Sequence, residues 1–192
     1  METLAQQRRK ASKPLLWIGI GSIIMAFAGL TSGYVVSRTT LVENGQWLVF
    51  DLPAAFNYST LAILGSSVAL WLGKKAIAQG NQTRLIALLG TTLFLGVVFS
   101  VLQVYGWQQL IKNQVFFTGP GSNPAGSWVY AISLFHLFHL GGGIISLVYT
   151  ILRAISGKYS ETDYHGITLT SIYWHFVDLL WIYLFLFLSL IR

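Results

Sequence analysis

Charged residues divide this chain into five long apolar stretches. They lie between Lys13 and Arg38, between Asp51 and Lys74, from Leu85 to Ile111, from Trp128 to Leu152 and from Ile167 to Leu190. A hydrocarbon core of roughly 30 Å takes about 20 helical residues at 1.5 Å each, and every stretch meets that length. The pattern therefore predicts five membrane spans, over approximately 15–37, 53–73, 85–111, 128–152 and 167–190. In lipid only helices or closed barrels satisfy their own backbone, and runs this long and continuous do not read as barrel strands. The fold class is all-α: an integral membrane protein, one five-helix bundle over residues 1–192. Pro14 and Pro53 stand where a helix can begin without losing a hydrogen bond. The Gly-, Pro- and Ser-rich loop TGPGSNPAGS parts the third span from the fourth.

Composition agrees. Hydrophobic residues form 54% of the chain and charged residues 9%, against roughly a quarter charged in soluble domains. The formal charge of +6 does not point to nucleic acid, because the bases cluster beside apolar runs as membrane-orientation signals do. Arg8, Arg9, Lys10, Lys13, Lys74, Lys75, Arg84, Arg153 and Lys158 fall on one side, and Arg38, Lys112 and Arg192 on the other. That bias predicts a cytoplasmic N-terminus and an outside C-terminus. METLAQQRRKASKP lacks a small-residue cleavage site and leads into a long apolar run, so the first span reads as retained. With no cysteine, thiolate metal sites and thiol catalysis are excluded. Trp17, Trp47, Trp71, Trp107 and Trp128 near predicted span ends read as interfacial belting.

Four polar residues inside the last two spans carry the candidate chemistry: His136, His139, His175 and Asp178. An intramembrane carboxyl costs about 2.5–3.5 kcal/mol on insertion scales and faces the bundle interior. Residues three apart share a helix face, so His136 stacks with His139 and His175 with Asp178. Depth counting along antiparallel neighbours places His139 level with Asp178, His175 opposite Gly142 and Gly143, and His136 near Trp181. The expectation is a buried His139–Asp178 pair, with Gly141, Gly142 and Gly143 letting the two helices approach closely. Asp178 is the one acid within a span, which disfavours a proton relay inside the chain. Four histidines in all leave a single haem b arithmetically open, as an electron-carrying alternative. The Gly-containing stretches lack the Lys and strand–helix context of a phosphate loop. From the residues alone, this is a helical membrane subunit with a polar core and no catalytic centre.

YWHFVDLLWIYLF, containing Tyr173, Trp174, His175, Phe176 and Asp178, resembles the last helix of subunit III of the haem–copper respiratory oxidases, with its WHFxD-type motif. His136-Leu-Phe-His139-Leu-Gly-Gly-Gly143 resembles the family's H-x-x-H-V-x-x-G helix. Weaker echoes are AGLTSGYVVSR at 28–38, LPAAFNYSTLAILGSSVAL with Asn57, Ser66 and Ser67, and LFLGVVFSVLQVYGW with Gln103 and Tyr105. The likeness covers most of residues 15–192 and is to the short, five-helix form.

The chain also departs from that family's pattern. Ile23, after Ser22, stands where a glutamate is usual; Gly106 replaces the Glu of Gln-x-Tyr-Glu; Thr168 stands where bacterial relatives often have an acid. Roles of those acids do not transfer, and the lipid cleft of seven-helix members lacks its extra helix pair here. The resemblance implies a subunit without haem or copper in the bacterial inner (cytoplasmic) membrane. It would pack against a catalytic subunit I that holds two haems and copper, with subunit II and other respiratory subunits as further partners. It would support assembly, proton uptake and sustained turnover, with bound phospholipid and an apolar path for oxygen as further expectations. Cytochrome c and quinol both remain open as the donor.

Overall fold

A computed structural model describes residues 4–191, with backbone alone at 4–6 and 8. Five helices are present: α1 Leu4–Glu43, α2 Ala54–Ala78, α3 Gln82–Lys112, α4 Pro124–Ile155 and α5 His165–Leu190. No strand occurs among the described residues, and all five helices are long and apolar enough to cross a membrane. Arg192 and the side chain of Arg8, both part of the charge comparison, lie outside the described residues.

Local chemistry sets the helix ends. Asn81 caps α3 by accepting from Arg84 N at 2.9 Å, and Asn123 caps α4 by accepting from Ala125 N at 2.9 Å, with Pro124 next to it at the first helical position. Pro53 takes the N-cap position of α2. After α2 and α4, Gly80 (φ 73°) and Gly157 (φ 67°) supply the left-handed turn that ends a helix. Pro14 departs from expectation: it lies inside α1, ten residues beyond the start at Leu4. The helix continues through it because its N-terminal turns are anchored by tertiary contacts. Arg9 grips Asp163 in a two-pronged ion pair at 2.6 and 3.1 Å, and Ser12 Oγ meets His165 Nε2 at 2.7 Å. At 40 residues, α1 is about 60 Å long, roughly twice the hydrocarbon thickness. Its polar first turns therefore stand beyond the core, over the α4–α5 loop. The pair is about half exposed on both partners, so Arg9→Ala is expected to lower thermal stability in detergent by less than about 1 kcal/mol.

Helices α2, α3, α4 and α5 close into a ring in which each packs on two neighbours, and α1 lies outside it on the seam of α4 and α5. The α2–α3 hairpin is the most intimate pair. It is allowed by Gly65 and Gly73, whose missing Cβ atoms would meet Leu95 and Leu88 at 3.4 Å. Small residues are how membrane helices approach, since lipid gives no hydrophobic drive for association. Hydrogen bonds tie the two ends of the bundle. Gln82 Nε2 donates to Ala154 O on the side of the α1 N-terminus. On the other side Asn123 Nδ2 donates to Gln46 O, and Tyr34 donates to Ile191 O.

Candidate functional site

The interior of the ring is filled from α5. Trp174 and Trp181, two turns apart on one face, are both 0% exposed. The Trp174 ring reaches across to α3, where a Cβ on Gly96 would sit 2.8 Å from it, and also covers Gly143 of α4. Trp181 meets Phe99 of α3 edge-on at 5.1 Å, stacks on Phe56 of α2 at 6.0 Å, and lies 5.0 Å from the His136 ring of α4. Phe56 in turn occupies the space left by Gly106, where a Cβ would be 2.6 Å from its ring. One aromatic column thus touches every helix of the ring.

Each indole N–H in that column finds an α2 hydroxyl. Trp174 Nε1 donates to Ser66 Oγ at 3.0 Å and Trp181 Nε1 to Thr60 Oγ1 at 2.9 Å. The two hydroxyls donate onward to their own helix, Ser66 to Ile63 O and Thr60 to Phe56 O. Further along α3, Gln103 Nε2 donates to Ser59 Oγ at 2.8 Å. The α4 side of α5 is fastened separately: Thr170 meets Thr150 and Ser146, and Tyr173 donates to His139 O at 2.9 Å.

Asp178, 2% exposed, turns toward α2 and accepts a hydrogen bond from Ser67 Oγ; His175 Nδ1 meets that same Ser67 oxygen at 3.0 Å. The expected His139–Asp178 pair is therefore corrected. His139 Nδ1 satisfies itself on Phe135 O of its own helix at 2.8 Å, between the rings of Phe27 and Phe135. The physical reason is azimuth. Depth matches both flanking helices to Asp178, but α5 is rotated so that its α4 edge carries Thr170 and Tyr173, leaving the aspartate on the α2 edge. His175 likewise does not face Gly142 and Gly143; Tyr173 and Trp174 do.

The glycine run is corrected in part. Gly143 is the point of contact, where an added Cβ would lie 3.3–3.4 Å from Trp174 and Tyr173 atoms; a Cβ on Gly142 would lie 3.5 Å from Tyr173 Oη, and one on Gly141 would meet open space. Gly143→Leu is accordingly expected to destabilise the bundle by about 1–3 kcal/mol through overpacking. Gly141→Leu should be close to neutral when both are compared by thermal unfolding in detergent.

His136 is fully buried with neither ring nitrogen hydrogen-bonded. Phe27, Phe99 and Trp181 surround it with centroids at 5.0–6.4 Å. A haem b joining two helices would need imidazoles from both facing one space, and here the rings of Phe27, Phe99, Phe135 and Trp181 pack beside His136 and His139. Among the described residues no three His, Asp or Glu side chains converge as a metal site. Sequence reasoning missed Ser67, Ser66, Thr60 and Gly96 as the groups that α5 packs against. The Ser66-Ser67 pair at the depth of the WHFVD motif was the available signal.

At the end of the bundle that carries the α1 N-terminus, a cavity of about 540 Å³ is bordered by Arg9, Ser12, Arg153, Lys158, Tyr159 and His165. Arg153 lies over the Tyr149 and Tyr159 rings at 5.8 and 5.4 Å. Burial pushes the Tyr159 hydroxyl up from its ordinary range, against the lowering pull of Arg153, so it remains a proton donor.

Residues 49–191 match the family Cytochrome c oxidase subunit III. Cytochrome c oxidase subunit 3 of Corynebacterium diphtheriae is 29% identical over 192 residues, covering 95% of this chain and 92% of that protein. Probable cytochrome c oxidase subunit 3 of Nocardia farcinica is 30% identical over 183 residues, covering 93% and 86%. Cytochrome c oxidase subunit 3 of Synechocystis is 28% identical over 170 residues, covering 86% and 69%.

Proposed function

Because the chain belongs to the cytochrome c oxidase subunit III family, we infer that it serves a terminal oxidase as a rigid, non-redox subunit packed beside the catalytic one. Oxygen reduction to water, on this reading, takes place on haems and copper held by subunit I. The present chain supports assembly, proton uptake and sustained turnover there, with subunit II and other respiratory subunits as neighbours. Its relatives' names favour cytochrome c as the electron donor. The observation that carries the reading is the core itself. The indole N–H groups of Trp174 and Trp181 and one carboxyl oxygen of Asp178 fasten α5 to α2, which suits a scaffold.

The α1 N-terminus and the α2–α3 and α4–α5 loops share one face, and that face holds Arg9, Lys10, Lys13, Lys74, Lys75, Arg84, Arg153 and Lys158. We place it in the cytoplasm of a bacterial inner membrane, with the C-terminus outside. Bound phospholipid fits the exposed apolar flanks and remains part of the proposal. Affinity purification of the tagged chain from membranes in mild detergent tests the reading. Oxygen-reducing activity and the haem-bearing polypeptides should co-purify. Recovery of the chain alone, or with a reduced haem band of its own, would overturn it.

A further inference from the structure

The residues that open α1, 4–13, are held differently from the rest of the helix. Among the described side chains none before Ile20 is buried; Gln7, Arg9, Lys10 and Lys13 are exposed and Ser12 is partly covered. The described part of this arm is thus not fixed by apolar packing. Polar groups clasp it to the α4–α5 loop and to the start of α5, Arg9 to Asp163 and Ser12 to His165. Where the arm joins the span, Pro14 has no N–H for the carbonyl four residues back, and its ring crowds that carbonyl. The helix is weakest there. Segments with few buried apolar contacts open locally at small cost while the core stays folded.

Two hollows lie against the arm. The cavity of about 540 Å³ has Arg9 and Ser12 of the arm on its border, together with Thr150, Arg153, Tyr159 and Thr170. Thr150 and Tyr159 are nearly covered, at 1% and 6% exposure. A second hollow of about 360 Å³ is bordered by Arg9, Lys10, Lys13 and His165. With this space beside it, the arm can swing without displacing packed side chains. The Arg9–Asp163 pair that holds it is about half exposed on both partners, and exposed pairs weaken as salt rises.

We propose that residues 4–13 form a strap, hinged at Pro14, that opens and closes over the larger cavity, with the Arg9–Asp163 pair as its salt-sensitive clasp. Closed, the strap walls off the Thr150 and Tyr159 side chains. Open, it admits water and small solutes to them, while α1 from Ile20 onward stays in the bundle. The device belongs to this chain and does not depend on which complex the chain serves.

The test is made on the intact complex in lipid nanodiscs. The chain has no cysteine, so Ser146→Cys, on the cavity border, gives it a single thiol. Modification of that thiol by a charged, water-soluble maleimide is followed by mass on this chain. Adding Arg9→Asp should raise the rate about two- to fivefold, the population change carried by one exposed ion pair. Adding Asp163→Arg to that variant exchanges the two charges and should return the rate to its starting value. High salt should speed modification in the unaltered clasp and not in Arg9→Asp alone. Pro14→Ala restores the missing N–H and should slow it. A thiol placed by Ser122→Cys, in the exposed α3–α4 loop, should react equally in every background. A rate indifferent to Arg9→Asp and to salt would overturn the strap. So would a rise that the exchanged pair fails to reverse. Hydrogen exchange of the unsubstituted complex gives a second reading: amides of 7–13 should exchange faster than those of 20–37 and quicken with salt. Equal protection of the two segments would likewise overturn the proposal.

Discussion

Trp174→Ala is expected to destabilise the bundle by about 3–5 kcal/mol, the largest loss foreseen for any single substitution in the chain. The ring is 0% exposed and lies against Gly96 of α3 and Gly143 of α4, both of which lack the Cβ that would otherwise occupy the space. Neither helix can close over the vacancy without dragging the α2–α3 hairpin with it, so the cavity persists and its lining loses dispersion contacts. Trp174→Phe should be much milder. It keeps most of the ring and gives up the indole N–H to Ser66 Oγ. Ser66 is not stranded by that loss, because its own proton already goes to Ile63 O. Thermal unfolding of the purified complex, followed through retention of this chain, should therefore rank wild type, Phe and Ala in that order. A near-neutral Ala variant would mean that the ring does not hold the core.

Asp178→Ala comes second, with an expected loss of about 1–3 kcal/mol, the penalty for leaving buried polar partners unmet. Two groups lose by it: the Ser67 hydroxyl and, through it, His175. Asp178→Asn keeps an acceptor for Ser67 and should cost under about 1 kcal/mol. A double-mutant cycle identifies the partner. Ser67→Ala and Asp178→Ala should be non-additive by about 0.6–1.7 kcal/mol, the span typical of interhelical hydrogen bonds in a membrane. His139→Ala and Asp178→Ala should simply add. Coupling of Asp178 to His139 with none to Ser67 would reverse the assignment.

How much of this is legible in the residues follows from what sequence encodes in a membrane. Span number and the helical class are written in composition, because hydrocarbon imposes one length and one way of satisfying the backbone. Depth is legible too: His136 does lie beside Trp181, as counting along antiparallel helices implies. Azimuth is not. Asp178 has a polar residue at its own level on both neighbours, and which one it meets depends on the rotation of α5. That rotation is fixed by where the two large rings fit, and so by Gly96, an ordinary-looking residue in a helix other than the two being compared. The reach of α1 beyond Pro14 is hidden for a similar reason. The contacts that sustain it, to Asp163 and His165, come from the far end of the chain.

The family glutamates that this chain lacks also acquire a physical setting. With Ile23, Gly106 and Thr168 in those places, the carboxyl at the centre of this chain has hydroxyl and imidazole neighbours and no second acid. Asp178 thereby ties α5 to α2 through Ser67, which is the setting from which the proposed scaffold role is argued.

The most direct test of that role is the oxidase purified from cells lacking this chain. If the chain is a scaffold, the remaining complex should show unchanged reduced-haem absorption and a normal initial rate of oxygen uptake, which then decays faster than in the complete enzyme. Loss of a haem band in proportion to the missing chain, or absence of oxygen uptake from the first turnover in a complex with full haem content, would contradict the account.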